Sequence, residues 1–241
     1  RMIDDWSITH VHADLPPELW DFIKKHRFFG MVIPKQYGGL GFSALAHHKV
    51  IQKIASASSV VSSNVGVPNS LGQGELLNHY GTPEQKEKYL PGLASGEIIG
   101  SFALTEPDVG SDAGSVKTTA RRDGDFYVLN GTKRFITNAP HAGLFTVMAR
   151  TDRDKKGASG VSAFAVERGT PGLNLGKPEK KMGQQGAHVC DVILDNCRVP
   201  ASALIGGVEG QGFKTAMKVL DKGRLHIAAA CVGLSERILD D

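Results

Sequence analysis

The chain has 241 residues, enough to bury a sizeable core in one large or two modest domains. An apolar content of 41% with 22% charged residues excludes a disordered chain, and a net charge of +3 spread along the sequence excludes a nucleic-acid-binding basic stripe. No apolar run approaches the ~20 residues of a membrane helix, and Cys190, Cys197 and Cys231, in no zinc spacing, fit free thiols in a reducing compartment.

Residues 1–15 are polar and read as irregular. His10-x-His12 and the adjacent His47-His48 lack acidic or cysteine partners in pattern, so no metal site is expected. Leu15-Pro-Pro-Glu-Leu-Trp-Asp-Phe-Ile-Lys-Lys-His26 starts a helix, with Pro17 in the first turn and Leu19, Phe22 and Ile23 on one face. Met31 to Gly41 is a loop punctuated by Pro34, Gly38, Gly39 and Gly41. Ser43 can cap a helix running to about Ser58 with Leu45, Val50, Ile51 and Ile54 inward. The small, apolar segment to His79 reads as a buried helix with a break. Thr82-Pro-Glu-Gln85 then has the form of a capping box.

After Gly96 the pattern changes. Gly100 to Leu104 reads as a short buried strand, broken by Thr105-Glu-Pro107, because proline fixes φ and removes a donor. The loop that follows, Gly110-Ser-Asp-Ala-Gly114, is small and polar. It suits either a tight turn capping its own backbone or a cradle for an anionic ligand. Asp125 to Thr137 holds two strand-like runs around Asn130-Gly131, a strong hairpin signal. Leu144–Arg150, Val161–Glu167 and Val189–Leu194 are further strands, with 151–159 as a charged hairpin loop. Strands at this spacing without helices between them predict an antiparallel barrel or sandwich.

From Gly206 the helical pattern returns, with one helix over 208–220 and a second from Gly223 to Asp241. Gly207-x-x-Gly210-x-Gly212 lacks the βαβ setting of a dinucleotide fingerprint and reads as a flexible entry to that helix. The fold class is therefore α+β: a helical block at 1–96, a β block at 97–205 and the opening of a second helical block at 206–241.

Phe102-Ala-Leu-Thr-Glu-Pro-Asp-Val-Gly-Ser-Asp112 closely resembles the signature of the acyl-CoA dehydrogenase family of flavoproteins. Phe135-Ile136-Thr137 is similar to the family's aromatic-Ile-Thr segment, although many members carry Trp where Phe135 stands. Trp20-Asp-Phe-Ile-Lys-Lys, Phe28-Phe-Gly-Met, Pro34-Lys-Gln-Tyr-Gly-Gly-Leu and Val67-Pro-Asn-Ser-Leu-Gly72 are similar to its bacterial long-chain branch. The resemblance covers nearly the whole chain and corresponds to about two-thirds of a family member.

That resemblance implies FAD as cofactor, an acyl-CoA thioester as substrate and an electron-transfer flavoprotein as partner. It also implies a homodimer or homotetramer at full length, in a bacterial cytoplasm or a mitochondrial matrix. It assigns Phe102, Leu104, Thr105, Gly110, Ser111, Phe135, Ile136 and Thr137 to the flavin, and Ser111, Asp221 and Arg224 to the substrate. Thr105 would face the pyrimidine edge of the ring and Thr137 its N5 region. Asp112 would tie down its own loop.

The family's α-proton base is a Glu in the late helical block, beyond Asp241, or in some members the residue before the Arg, which here is Gly223. Glu106 and Glu209 belong to a turn and a glycine-rich loop, so neither is assigned as base. A chain ending at Asp241 is expected to leave apolar helix faces uncovered and to bind flavin poorly. An acyl-CoA oxidase or flavin monooxygenase on the same fold is an alternative, as is a non-catalytic flavoprotein fragment or assembly factor.

Overall fold

The computed structural model describes residues 2–70, 73–155 and 157–241. Leu71 and Gly72, which end the Val67–Gly72 segment, and Lys156 in the 151–159 loop lie outside the described residues.

Five helices form the first block: α1 Pro17–Lys25, α2 Ala44–Ala55, α3 Ser59–Ser70, α4 Gln73–Tyr80 and α5 Pro83–Ser95. Pro17 opens α1, and the Ser43 hydroxyl caps α2 by accepting the Ala46 N–H at 3.3 Å. Thr82 and Gln85 form the expected reciprocal box: Gln85 Oε1 accepts the Thr82 N–H at 3.0 Å, and Thr82 Oγ1 accepts the Gln85 N–H at 3.3 Å. Gly96 ends α5 at φ +79°, a left-handed cap that favours glycine.

Two expectations for this block fail. Ser7–His12 is a helical turn rather than irregular, because Ile8 is buried and anchors it. Leu45 faces solvent; the buried face of α2 is His47, Ile51 and Ala55, so a polar imidazole takes a place that hydropathy gave to leucine.

The β block has seven strands: β1 Gly100–Ala103, β2 Thr119–Asp123, β3 Phe126–Thr137, β4 Leu144–Arg150, β5 Val161–Glu167, β6 Leu173–Leu175 and β7 Val189–Pro200. They form one sheet in the order β1-β4-β2-β3-β7-β6, with β5 also on β4. Most pairings are antiparallel, but β1 runs parallel to β4 over Gly100↔Leu144 to Ala103↔Val147, and β2 touches the end of β4 in parallel at Thr119↔Arg150. β4 and β5 are buried on both faces, so their apolar runs are continuous. Phe145, Val147, Phe164 and Val166 fill one core with Tyr127 and Leu129, while Leu144, Met148, Ala163 and Ala165 pack on Leu76, Leu90 and Ala216 of the helices.

Asn130-Gly131 is not a hairpin turn. β3 runs straight through it, and the β2–β3 turn lies at Gly124, φ +59°. The register slips between Leu129 and Gly131, and Gly131 adopts φ +151° where an added Cβ would meet the Thr118 side chain. The Asn130 side chain accepts the Asn196 N–H at 2.8 Å across the sheet. The turn-type residues make a bulge here because β7 supplies a long partner strand on the other side.

Likewise, the two helices expected after Gly206 are one, α6 Gly212–Asp240, which continues through Gly223. Its N-terminal half packs on β5 and α4. Its C-terminal half leaves Leu225, Ile227, Val232, Leu234, Ile238 and Leu239 exposed.

Candidate active site

The signature stretch is fixed by its backbone. After β1, the Leu104 carbonyl accepts from Lys133 Nζ at 3.2 Å and the Thr105 carbonyl accepts the Arg134 N–H at 2.8 Å, which ties the stretch to β3. Glu106 and Val109 close the Pro107 turn with reciprocal backbone bonds of 3.0 and 3.1 Å. The buried Glu106 carboxylate accepts from the Lys117 and Thr118 N–H groups at 2.7 and 2.9 Å and from Lys133 Nζ at 2.8 Å. Burial pushes this carboxyl up, but Lys133 and those donors outweigh it and hold the group below its ordinary range. Burial pulls Lys133 down to about 8. Glu106 is thus a structural anion with its lone pairs committed, and it offers no free base.

Beyond the turn the loop opens. Gly110 has no positive φ, and a Cβ there would meet nothing, so neither strain nor internal packing calls for glycine. The backbone N–H groups of Gly110 and Ser111 make no hydrogen bond among the described residues, and Ser111 is exposed. Asp112 ties its own loop, since it accepts from the Ser115 hydroxyl and its carbonyl accepts the Ser115 N–H at 3.1 Å.

Phe135 sits at a second bulge of β3, between Lys133 and Ile136, at φ +57°. A bulky residue in the left-handed region is strained. Even so the ring is 56% exposed, with the Arg134 guanidinium 4.9 Å from its centroid. Ile136 turns the other way into the β core, so only its backbone is available to a ligand. Leu104 is likewise buried and Phe102 partly so, both packed in the core shared with the helices. The Thr137 carbonyl accepts the Ser101 hydroxyl at 2.5 Å, linking β3 back to β1.

At Thr137 the β block meets a cavity of about 530 Å³, enclosed by α3, the 181–189 segment and α6. Its polar lining includes four α3 serines (Ser59, Ser62, Ser63 and Ser70), Thr137 from β3, Lys181 and Gln184, and Arg224 and His226 beside Gly223 on α6. Ser62 Oγ is buried there without a hydrogen-bond partner. Among the described lining residues none is a carboxylate. Asp221 stands one turn away on α6, paired with Arg224, and both side chains are about 70% exposed. Of the residues singled out from sequence, the cavity gathers Thr137, Gly223 and Arg224. Phe102, Leu104, Thr105, Gly110, Ser111, Phe135, Ile136 and Asp221 do not line it. A larger cavity of about 770 Å³, under the start of the chain and the end of α6, contains no predicted residue.

Three features escaped sequence reasoning. His226 of α6 stacks on His47 of α2 at 5.6 Å, both buried, and Gly66 of α3 leaves room for His226, because a Cβ would collide with its ring. Glu209 is engaged by the Tyr127 hydroxyl, whose pKa burial and that carboxylate push up to about 12. Asp14, His141 and His188, distant in sequence, converge. Only the i, i+4 and i, i+3 spacing of local motifs is visible before folding, and none of these pairs has it.

Residues 2–97 match the family model for the acyl-CoA dehydrogenase N-terminal domain, and residues 101–197 match that for the middle domain. The chain belongs to the acyl-CoA dehydrogenase family. It is 44% identical to a 3-(aryl)acrylate reductase of Clostridium sporogenes over 95% of this chain and 60% of that one. It is 43% identical to an acyl-CoA dehydrogenase of Bacillus subtilis over 97% of this chain and 61% of the relative. It is 42% identical to CarC, a subunit of the caffeyl-CoA reductase–Etf complex of Acetobacterium woodii, over 95% and 60%. The solved butyryl-CoA dehydrogenase of Megasphaera elsdenii superposes with a TM-score of 0.91 at 36% identity, covering 97% of this chain and 61% of that one. An acyl-CoA dehydrogenase of Bacillus anthracis solved with FAD gives 0.82 at 35%, over 90% and 36%. The chain spans about 60% of the length of the first curated relatives it matches.

FAD is the cofactor of this family, and the residues present fit it. The open space at Gly110, the Gly110 and Ser111 amides without a partner among the described residues, and the exposed Phe135 ring are donors and apolar surface of the kind a flavin dinucleotide binds.

Proposed function

We propose that the protein of which this chain forms the helical and β blocks oxidises an acyl-CoA between its α and β carbons, passing the electrons to an electron-transfer flavoprotein. The cavity at Thr137 carries this reading. It offers hydroxyls, a guanidinium and an ammonium to a thioester, and none of its described lining residues is a carboxylate. Bound FAD supplies the two-electron acceptor.

In this reading the chain's own residues bind and orient. The Gly110 and Ser111 amides hold the pyrophosphate, Thr105 and Thr137 donate toward the ring where negative charge develops, and Phe135 covers one face. Phe102 and Leu104 shape that wall through the core, and Ile136 contributes its backbone. Ser111 and Asp221 meet the coenzyme A portion, and Arg224, paired with Asp221, faces the acyl-CoA beside them. No described lining residue of the cavity is assigned as the α-proton base, since Gly223 has no side chain at the position where some members place one.

Anaerobic addition of acyl-CoA to the full-length flavoprotein should bleach the flavin absorbance, with little peroxide on admitting air. Rapid stoichiometric peroxide would instead mark an oxidase, and no bleaching with any acyl-CoA would leave a non-catalytic flavoprotein. A second reading runs the same chemistry in reverse, reducing a conjugated acyl-CoA. It is favoured by the relatives named as reductases. Reoxidation of the reduced protein by an enoyl-CoA, faster than bleaching by the saturated thioester, would select it.

A further inference from the structure

Away from the cavity, three side chains from opposite ends of the fold face one another. Asp14 precedes α1, His141 lies in the β3–β4 turn and His188 immediately precedes β7. Their ligand-capable atoms all lie within 4.8 Å of one another. His188 Nε2 is 3.5 Å and His141 Nε2 3.9 Å from the same oxygen, Asp14 Oδ2. The Nε2 atoms of both histidines are shut off from solvent and have no hydrogen-bond partner among the described residues. Buried polar atoms in folded proteins are nearly always satisfied, so two orphans aimed at one carboxylate oxygen require an explanation.

The surroundings hold all three in place. The Asn138 N–H donates to the His188 carbonyl at 2.8 Å, and the His141 N–H donates to the Asn138 carbonyl at 2.9 Å, which fixes the two histidines relative to each other. The Arg168 guanidinium donates to the Pro140 and Ala142 carbonyls at 2.9 and 3.0 Å, clamping the turn that carries His141. Asp14 Oδ1 accepts the Leu15 N–H at 2.7 Å and Trp20 Nε1–H at 3.4 Å, which turns Oδ2 toward the two imidazoles. Outer contacts of this kind fix the direction of metal ligands.

We propose that Asp14, His141 and His188 bind one divalent transition-metal ion of the zinc class and so clamp the start of the chain to the β block. Two neutral imidazoles and one carboxylate are a donor set for Zn2+ or a similar borderline ion, with water in the remaining position. Metal–ligand bonds of ~2.0–2.1 Å bring the donor atoms to ~3–3.5 Å apart, a contraction that side-chain rotation supplies. Lys24 and Arg168 lie close enough to oppose a cation electrostatically, so the affinity is moderate. None of the three residues lines the cavity, although Ala187 and Val189 beside His188 do.

The test is a titration of the chelator-treated full-length flavoprotein with Co2+ and Zn2+ near pH 7.5. One equivalent of Co2+ should give visible d–d bands, displaced by Zn2+, and excess Zn2+ should raise the thermal midpoint by roughly 5 °C. His188→Ala and His141→Ala should abolish the bands, whereas His10→Ala with His12→Ala should keep them. His188→Gln and Asp14→Asn, with retained flavin absorbance as the mark of folding, cover the case in which an alanine variant does not fold. The proposal is overturned if no bands form, if they persist in His188→Ala, or if the midpoint ignores Zn2+ and chelator while moving only with pH. That last result would identify the trio as a plain ion pair.

Discussion

The β side and the α6 side of the cavity are held by different physics. On the β side, Thr137 is held in the β3–β7 ladder and by the Ser101 hydroxyl of β1, and the neighbouring Thr105 loop is tied to β3 by a backbone hydrogen bond, with the buried Glu106–Lys133 pair behind it. On the α6 side, Gly223 and Arg224 ride on a helix docked by packing and ion pairs, with no backbone ladder among the described residues: the His47–His226 stack, close approach at Gly66 and Gly233, and pairs such as Lys222 to Glu75. A ladder of backbone bonds resists small shifts, so the β side can be preorganised for a cofactor. A helix held by imidazoles and exposed charges responds to pH and to whatever covers its apolar face.

The contrast is broken most severely at Lys133. Lys133→Ala leaves Glu106 buried without its cation, and a loss of about 3–5 kcal/mol in denaturant unfolding is expected. Lys133→Met with Glu106→Gln should recover part of it. A loss under ~1 kcal/mol for the single variant would show that the pair does not anchor the wall.

Next in size is the pH response of α6. His47 and His226 are lowered from 6.5 to about 4, first by burial and then by neighbouring imidazoles. Their folded values lie below the unfolded one, so their contribution is fully present above about pH 6.5 and is lost as pH falls toward 4. Roughly 3 kcal/mol for each imidazole should disappear across that window, visible as faster amide exchange along α6 than in β3 and β4. His226→Phe should flatten the profile.

The smallest stability effect belongs to the exposed Asp221–Arg224 pair. Asp221→Ala should change stability by no more than about 0.5 kcal/mol. Under the proposed role of these residues it should nevertheless raise KM for acyl-CoA without a matching fall in kcat. An unchanged KM would reduce the pair to a surface ion pair.

Local chemistry made much of this legible in advance. The strand, proline break and glycine loop of Phe102–Asp112, the Thr82–Gln85 capping box, the Ser43 cap and the double-sided apolar strands β4 and β5 are short-range patterns, each formed by residues within one or two turns of one another. The acyl-CoA dehydrogenase family followed from the same short strings.

Tertiary structure decided what depends on partners far along the chain. It made Asn130-Gly131 a bulge because β7 pairs on its other side, and it exposed Leu45 because His47 found His226. It committed Glu106 to Lys133 and Glu209 to Tyr127, and it brought Asp14 to His141 and His188. A side chain's partner is set by which surfaces meet in space. For these residues the partner, more than the residue type, determines charge, exposure and the chemistry available.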